Sequence, residues 1–420
     1  MSNATPFLIV LIGLTLFLLC ACQSPPVDKP LSPDAVQVHL PLEEALPAPS
    51  AAPAATPEPK AYALLVHDSA YAPARYEPVD GCYLGAYILE AVSVEGSIPA
   101  FERRTGKSHA IYVNEMPLGG TYPVSWVLSC IANGKTPYLI VNRPNSYAPF
   151  DLALLEQTAR DAGAFDVPVF IELLPYAKAE KYSRAEYLAF FAAARAQFSL
   201  DAPNAVLVWC AEEAEDSQGY YPGHENVDWV NIKGEPSDEA VADFIQAYQR
   251  HKPIILTLAI SHYSTENNAY DLSGAAQRIA AAYADCPPRV KVVLYRDVNE
   301  MLYADEGVRH DFTVTTEDSL TKAYQSAISG AGFLSGLVAE ARTTVGALMQ
   351  AVRPGYAVGD TYYIAEESIL ADLGAHRILP GRRAVSIHGA AYYDMAFARE
   401  CVPLDFYIDE AKGRMVVLPE

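Results

Sequence analysis

Eight short runs rich in Val, Ile, Leu and Tyr recur between residues 81 and 295. Each run is nearly continuous in apolar residues, which is typical of a strand buried on both faces. Amphipathic helical patterns separate most of them, at residues 125–133, 151–164, 184–198, 238–250 and 275–284. This alternation predicts right-handed βαβ units and an α/β fold, a (β/α)8 TIM barrel. The strands are predicted at residues 81–89, 110–115, 138–142, 167–173, 205–209, 227–232, 253–260 and 290–295.

The fourth strand leads into the loop where a barrel of this type keeps its chemistry. Its sequence, VPVFIELLPY, carries one carboxyl group, Glu172, which alternation after Phe170 directs into the barrel. A charge there needs a partner. Three roles stay open for Glu172: a structural ion pair with Arg143 or Arg296, a ligand contact, or catalysis.

The starts of two helices carry capping signals. Ser183 and Glu186 predict a capping box, whereas Ser237 offers only the cap half of one. The helix after Ser183 also predicts an apolar stripe that packs on the barrel, formed by Tyr187, Phe190, Phe191 and Ala194.

The N-terminal sixty residues predict export and anchoring. An apolar run ends at Leu19-Cys20-Ala21-Cys22, which resembles a bacterial lipoprotein signal with Cys22 as the lipidated residue. Residues 1–22 are therefore the predicted signal peptide and residues 23–60 a Pro/Ala-rich linker. The expected location is extracytoplasmic, lipid-anchored to the bacterial membrane; an ordinary secretory signal or a short anchor is the alternative.

Composition narrows the classes of partner. A formal net charge of -21, without clustered Lys and Arg, argues against nucleic acid. The cysteines beyond Cys22 show no metal-ligand spacing, so no metal and no cofactor is expected. Buried free thiols are favoured over disulfides at these positions, and the pairing of the five residues stays open: Cys82, Cys130, Cys210, Cys286 and Cys401.

A change of pattern after Gly336 predicts a small C-terminal α+β domain at residues 336–420, separate from the barrel at residues 61–330. A turn glycine, a short strand with paired tyrosines and a helix occur twice, from Gly359 and from Gly389, followed by a hairpin that turns at residues 410–413. This region resembles the repeat named after the N-terminal domain of copper amine oxidase. The resemblance implies a wall-proximal or protein-contact module, without copper or oxidase chemistry.

Several sequence segments in the barrel region resemble a second known family. GAYIL, FERRTGKSHA, DLALLEQTARDAGAFDVPVFIE, YYPGHENVDWVNI and KPIILTLAIS occur in this order between residues 81 and 295. Together they resemble glycoside hydrolase family 26, the mannanase-like (β/α)8 barrels. The resemblance implies an acid/base Glu on the fourth strand and a nucleophile Glu on the seventh.

Both of those positions lack a carboxyl group in this chain. A gap-free match places the acid/base at Tyr176 and the nucleophile at Leu258. A retaining glycosidase needs two carboxyl groups about 5 Å apart, so no catalytic residue is assigned. A shift of one turn that makes Glu172 the acid is the alternative, with Glu90, Glu115, Glu212 and Glu213 as further carboxyl groups at strand ends.

Sugar binding needs less than sugar cleavage, because stacking rings and a few polar groups suffice. Asn142 and Asn231 are polar neighbours of the predicted site, and packing is the alternative role for Trp209, Tyr220 and Trp229. The candidate ligand-binding residues are Tyr176, Trp209, Glu212, Tyr220, Tyr221, Trp229, His262 and Tyr263.

The leading interpretation is a cell-envelope lipoprotein whose glycoside hydrolase-derived barrel is non-catalytic and binds a polysaccharide or cell-wall glycan. The alternatives are an active glycosidase of the mannanase or glucanase type with rearranged carboxyl groups, and an envelope scaffold that contacts proteins. The sequence leaves the glycan, the partner of the C-terminal domain and the oligomeric state open.

Overall fold

The computed structural model describes residues 57–68, 73–144, 150–175, 180–211, 217–284, 286–302, 304, 309–338 and 347–419. The predicted signal peptide with Cys22, most of the linker, Tyr176, Glu212 and Glu213 lie outside these ranges. Within them, no helix is long and apolar enough to cross a membrane.

The strands are β1 (Lys60–Asp68), β2 (Cys82–Tyr87), β3 (Ile111–Pro117), β4 (Thr136–Asn142), β5 (Val169–Leu173), β6 (Ala205–Ala211), β7 (Trp229–Lys233), β8 (Ile254–Leu258), β9 (Tyr263–Ser264), β10 (Ala269–Tyr270), β11 (Val290–Arg296), β12 (Phe333–Leu334), β13 (Ala347–Gln350), β14 (Gly355–Val358), β15 (Thr361–Ala365), β16 (Val385–Ile387), β17 (Ala390–Asp394), β18 (Leu404–Asp409) and β19 (Arg414–Pro419). The α-helices are α1 (Ile98–Thr105), α2 (Val124–Ala132), α3 (Leu152–Gly163), α4 (Arg184–Asp201), α5 (Ser217–Tyr220), α6 (Glu239–Tyr248), α7 (Leu272–Ala284), α8 (Asp318–Ala327) and α9 (Met395–Cys401).

Eight parallel strands close into a barrel. The order is β2-β3-β4-β5-β6-β7-β8-β11, and β11 pairs in parallel with β2 to complete the ring. All eight strands lie where the apolar runs predicted them, so the (β/α)8 fold is confirmed. The short strand β12 also pairs in parallel with β2, at the N-terminal end of β2.

Side chains of the barrel strands alternate between the barrel interior and the helix layer. In β5, Phe170 belongs to the interior cluster and Glu172 lines the pocket at the mouth, whereas Val169 and Ile171 pack outward against the helices. The predicted inward direction of Glu172 is therefore confirmed. The interior cluster includes the aromatic residues Tyr83, Tyr138, Phe170 and Trp229.

The apolar stripe of α4 packs as predicted, because Tyr187, Phe190, Phe191 and Ala194 are all buried in the core. The capping predictions were wrong. Ser183 occupies the N-cap position of α4, but its side chain makes no cap hydrogen bond. At α6 the N-cap is Asp238 and not Ser237, and its carboxyl group accepts a hydrogen bond from the backbone of Glu235 in the preceding turn, which competes with capping.

A second sheet contains the C-terminal strands in the order β16-β17-β15-β14-β1-β19-β18, and β13 pairs with β1. Strand β1, at the start of the residues predicted to form the barrel, lies instead in this sheet, parallel to β19 and antiparallel to β14. Its side chains Leu64 and Val66 pack with Met415 and Val417. The chain therefore contributes one strand to the second sheet before it enters the barrel.

The repeated pattern of the C-terminal sequence corresponds to a repeated structure. Gly359 and Gly389 both have positive φ, and each precedes a strand, β15 or β17, that leads into a short helical segment. These two strands pair with one another. The hairpin of β18 and β19 also forms as predicted, with a turn that ends at Gly413, φ 62°.

Candidate functional site

A pocket opens at the carboxyl ends of the barrel strands. Its free volume is about 20 Å³, enough for one water-sized group. The lining combines two carboxyl groups and two cations with neutral polar and apolar side chains: Tyr87, Val113, Glu115, Tyr138, Ile140, Glu172, Asn231, Lys233, Thr257, Leu294 and Arg296.

Glu172 is the most deeply placed charged group of this pocket, with none of its surface exposed. The Tyr138 hydroxyl donates to Glu172 Oε2 at 2.5 Å, and Asn231 Nδ2 donates to the same oxygen at 2.7 Å. Among the described residues, the second oxygen, Oε1, is buried without a hydrogen-bond partner. Half of the acceptor capacity of this carboxyl group is therefore unused by the described protein groups.

Neighbouring strands hold the two donors in place. Tyr138 and Asn231 come from β4 and β7, and the Thr257 hydroxyl of β8 donates to Asn231 Oδ1 at 3.0 Å, which fixes the direction of the amide. Burial and the adjacent Glu172 carboxyl group raise the pKa of Tyr138 well above its ordinary value. Tyr138 is therefore a hydrogen-bond donor throughout the physiological range.

The second carboxyl group, Glu115, lies in the same row of the sheet. Glu115 is in register with Ile140, and Ile140 is in register with Glu172. Since adjacent strands are about 4.8 Å apart, the two glutamate Cα atoms are separated by roughly 10 Å. Glu115 is exposed and accepts a hydrogen bond from Asn142 Nδ2 at 3.0 Å.

The two arginines considered as ion-pair partners of Glu172 contact other acids. Arg143 Nη1 lies 2.6 Å from Glu180, and Arg296 Nη2 lies 3.5 Å from Glu300. Within the described part of the chain, Glu172 therefore has no ion pair with Arg143 or Arg296. Arg296 still lines the pocket, and its guanidinium lies 5.8 Å from the ring of Tyr87.

Leu258, the position matched to the family's nucleophile, faces away from the pocket and packs in the cluster between barrel and helices. The neighbouring residue of β8 that faces inward is Thr257. Neither side chain carries a carboxyl group. Sequence reasoning missed Tyr138 and Thr257 as site residues, although inward alternation along their strands was a usable signal.

The two tryptophans considered as ligand contacts are packed in the protein. Trp209 is 1% exposed and stacks on Phe244, with the ring of Tyr221 at 5.1 Å. Trp229 has no exposed surface, packs against Phe170 inside the barrel, and donates from Nε1 to the backbone of Arg75 at 3.0 Å. Neither face is open to a sugar ring.

The remaining candidates are dispersed. Tyr220 packs on Tyr187 and donates to the backbone of Tyr182, while Tyr221 pairs with His224. His262 is 3% exposed, with Nε2 at 3.4 Å from Asp311, and Tyr263 pairs with Asn268. None of these four tyrosine and histidine candidates lines the pocket around Glu172. Their roles as ligand contacts stay predictions.

In the part of the chain that the structure describes, no group of three His, Cys, Asp or Glu side chains is arranged to hold a metal ion. Among the described groups of the pocket, Glu172 Oε1 is an acceptor without a hydrogen-bond partner, which suits a hydroxyl donor. For chemistry, the site therefore contains the buried carboxyl group of Glu172 and the exposed carboxyl group of Glu115, in register across three neighbouring strands.

Comparison with known proteins gives solved glycosidase structures at low identity. No family model and no curated protein matches the chain. A glucosidase from Croceicoccus marinus is 11% identical, with 80% of this chain and 83% of that chain covered and a TM-score of 0.42. The GH53 catalytic domain of Ignisphaera aggregans is 10% identical. The match covers 61% of this chain and 99% of that chain, with a TM-score of 0.42.

A third similar structure is active domain 2 of the thermostable chitinase from Pyrococcus furiosus, solved as catalytic-site mutants with chito-oligosaccharides. It is 11% identical, with 61% of this chain and 98% of that chain covered and a TM-score of 0.42. Similarity at this level carries no information about activity. The barrel is established by its own strand pairing.

Proposed function

We propose that this protein is a cell-envelope lipoprotein whose barrel derives from a family 26-like glycoside hydrolase and binds a glycan without cleaving it. The motif order between residues 81 and 295 supports the family, and the Leu19-Cys20-Ala21-Cys22 segment supports the anchor. The C-terminal repeat, similar to the N-terminal domain of copper amine oxidase, is proposed as the wall-proximal or protein-contact module.

The unused oxygen of Glu172 is the observation that carries this function. A buried carboxyl oxygen without a donor costs free energy unless a ligand or solvent completes its hydrogen bonds. A sugar hydroxyl is a donor of the right size for a pocket of about 20 Å³. One hydroxyl would enter beside Glu172, while the rest of the glycan would lie across the mouth toward Glu115 and Arg296.

The side chains of the seventh strand support the proposed loss of cleavage. With Leu258 directed outward and Thr257 directed inward, β8 presents no carboxyl group to the mouth. A hydroxyl or an alkyl group cannot replace the carboxylate that attacks or stabilises the anomeric carbon. In this proposal the barrel keeps the carboxyl group of Glu172 but has no carboxyl group on the seventh strand.

A glycan array combined with product analysis tests the proposal. We expect binding to β-linked polysaccharides or cell-wall glycans, without release of oligosaccharides after prolonged incubation. Glu156, a half-exposed glutamate on α3 that pairs with Arg160, provides a control: Glu156→Gln should bind like the wild type, and Glu172→Gln should bind more weakly. Failure to bind any glycan would instead favour the envelope scaffold.

A second candidate, an active glycosidase, is favoured by one observation. Glu115 and Glu172 share a row and a pocket, with Cα atoms roughly 10 Å apart by strand spacing, so their carboxyl groups can approach the separation used by inverting enzymes. In that case, product would accumulate with the wild type and disappear with either Glu115→Gln or Glu172→Gln.

The anchor has its own test. Cys22→Ser should release the protein from the membrane fraction, because the lipid is carried by the thiol of this residue. Globomycin should block processing of the wild type. Membrane retention unchanged by Cys22→Ser would contradict the proposed lipidation.

A further inference from the structure

We propose that the exposed ring of Tyr270 binds the apolar face of a sugar ring and forms a second part of the glycan site. This inference rests on the proposed function and extends it. The pocket around Glu172 receives one hydroxyl group, and Tyr270 stacks on another pyranose ring of the same β-linked oligosaccharide. The C–H groups on one face of a pyranose form an apolar patch that an aromatic ring covers, while the hydroxyl groups at the edge of the sugar stay hydrated.

Tyr270 leaves one face of its ring open to solvent. The residue is 56% exposed, and its ring centroid lies 5.5 Å from that of His262, with an angle of 33° between the two planes. Because His262 is buried, one face of Tyr270 covers the imidazole and the opposite face is open. Among the described residues, the other aromatic side chain of comparable exposure is Tyr407 of β18, 52% exposed, in the second sheet.

The hairpin of β9 and β10 holds the Tyr270 ring in place. Tyr270 is the cross-strand partner of Tyr263, and their ring centroids lie 5.2 Å apart in an edge-to-face arrangement. At the turn, the Tyr263 hydroxyl donates to the side chain of Asn268. At the base, the backbone N–H of Asp271 donates to the carbonyl of His262 at 2.7 Å. A ring that is fixed in this way loses little conformational freedom when a ligand binds.

Hydrogen bonds join the base of this hairpin to the mouth of the barrel. Arg278 of α7 donates to the backbone carbonyl of Ser261 and, at 2.8 Å, to the carboxyl group of Glu235. Glu235 follows Lys233, which lines the pocket, by two positions. One guanidinium group therefore connects the hairpin to the loop that leaves the pocket wall at the end of β7.

The hairpin lies within reach of a ligand held in the pocket. Tyr263 follows the pocket residue Thr257 by six positions, so their Cα atoms are at most about 22 Å apart. Leu258, at the end of β8, is in register with Tyr295, the residue before Arg296. A glycan that extends from the pocket toward Arg296 is therefore directed to the side of the mouth from which the hairpin projects.

Titration calorimetry of the full-length chain with β-linked manno- and gluco-hexasaccharides tests the stacking contact. Tyr270→Leu still covers His262 but lacks a flat ring, so it should weaken the binding of the hexasaccharide about fivefold with little change in Tm. Tyr270→Phe keeps the ring and should bind like the wild type. Tyr407→Leu, which removes a tyrosine of similar exposure from the second sheet, should also leave the affinity unchanged.

Nitration of the wild type gives a readout that does not depend on the folding of a variant. The protein is treated with tetranitromethane, with and without a saturating concentration of the hexasaccharide that binds, and nitrated peptides are mapped. We expect the ligand to protect Tyr270 and to leave the nitration of Tyr407 unchanged.

The outcomes separate this inference from the proposed function. Wild-type affinity in Tyr270→Leu, together with weakened binding in Glu172→Gln, would overturn the stacking contact and leave the proposed function in place. Equal nitration of Tyr270 with and without bound ligand would overturn it as well, as would a loss in Tyr270→Phe as large as that in Tyr270→Leu. A wild type that binds neither hexasaccharide nor any other glycan would overturn the proposed function and this inference together.

Discussion

Two buried glutamates at opposite ends of the barrel are treated differently by their surroundings. At the floor, Glu77 lies 2.6 Å from the guanidinium of Arg289, and both side chains are almost fully buried. At the mouth, Glu172 is equally buried, but the hydrogen bonds that it receives from the described residues come from the neutral groups of Tyr138 and Asn231, both on one oxygen. Glu77 therefore has a positively charged partner, whereas the described donors to Glu172 are neutral.

The difference separates stability from function. A buried acid that serves the fold is paired, because an uncompensated charge in the interior is costly. Under the proposed function, the unused oxygen of Glu172 at the open end of the barrel accepts a hydrogen bond from a glycan hydroxyl. In that account the ion pair at the floor stabilises the closed ring, and the mouth is the proposed ligand site.

The largest expected effect comes from breaking the ion pair at the floor. Arg289→Met removes the charge opposite Glu77 and also the hydrogen bond to the backbone of Gln249. We expect the free energy of unfolding to fall by about 3–5 kcal/mol in a denaturant titration. Arg143→Met, which breaks the more exposed pair with Glu180, should cost no more than about 1 kcal/mol. Equal costs would contradict the assigned role of the floor.

The next effect concerns Asp297, a buried acid just after β11 that has donors on both oxygens. Burial raises its pKa from 3.8 to about 6, although hydrogen bonds from Thr315 and the Val314 backbone oppose the shift. The folded state therefore holds this proton more tightly than the unfolded state. The protonated Asp297 carboxyl group therefore contributes its full share to the free energy of unfolding below pH 4. This share is lost as the pH rises through 6, which lowers the free energy of unfolding by about 3 kcal/mol.

Asp297→Asn isolates this contribution. The wild type should lose stability relative to the variant between pH 4 and 6, as measured by denaturant titrations at several pH values. The stability of the wild type must be compared with that of the variant at each pH, because His109 also titrates in this range. Burial lowers the pKa of His109 to about 4, so its contribution to the free energy of unfolding rises between about pH 4 and 6.5 and is the same in both proteins. A difference that does not change with pH would contradict the assigned titration.

The smallest effect tests the hydrogen bonds at the mouth. Tyr138→Phe removes one of the two donors to Glu172 and leaves the apolar packing on Phe170 intact. We expect a loss of about 1–3 kcal/mol in the free energy of unfolding, smaller than that of Arg289→Met. A loss as large as the loss at the floor would mean that Tyr138 serves the fold in the same way as Arg289.

The barrel could be predicted because its information is local. Each parallel strand is a continuous apolar run, and alternation after Phe170 was enough to direct Glu172 inward. The wrong predictions concern features that depend on contacts with other parts of the chain. The apolar run of β1 does not encode which sheet it joins, and the side chain of Ser183 did not adopt the hydrogen bond that its position in the sequence suggested.

The site was only partly predictable for the same reason. Asn231 was expected among the polar groups of the ligand site. Tyr138 and Thr257 were not, because they become neighbours of Glu172 and Asn231 only when β4, β7 and β8 lie together in the ring. Trp209 and Trp229 illustrate the opposite case. An aromatic residue at a strand end has the same sequence signature whether it packs inward or faces a ligand, and the structure shows both packed.

The most direct test of the central claim is one titration calorimetry series with β-linked manno- and gluco-hexasaccharides, followed by product analysis of the same samples. The wild type should bind at least one of them without cleaving it. Glu172→Gln should weaken binding about tenfold or more, with the Tm little changed, since hydrogen bonds to a charged group are worth about 1.5–3 kcal/mol. Unchanged affinity in Glu172→Gln, or hydrolysis by the wild type that this variant abolishes, would contradict the account.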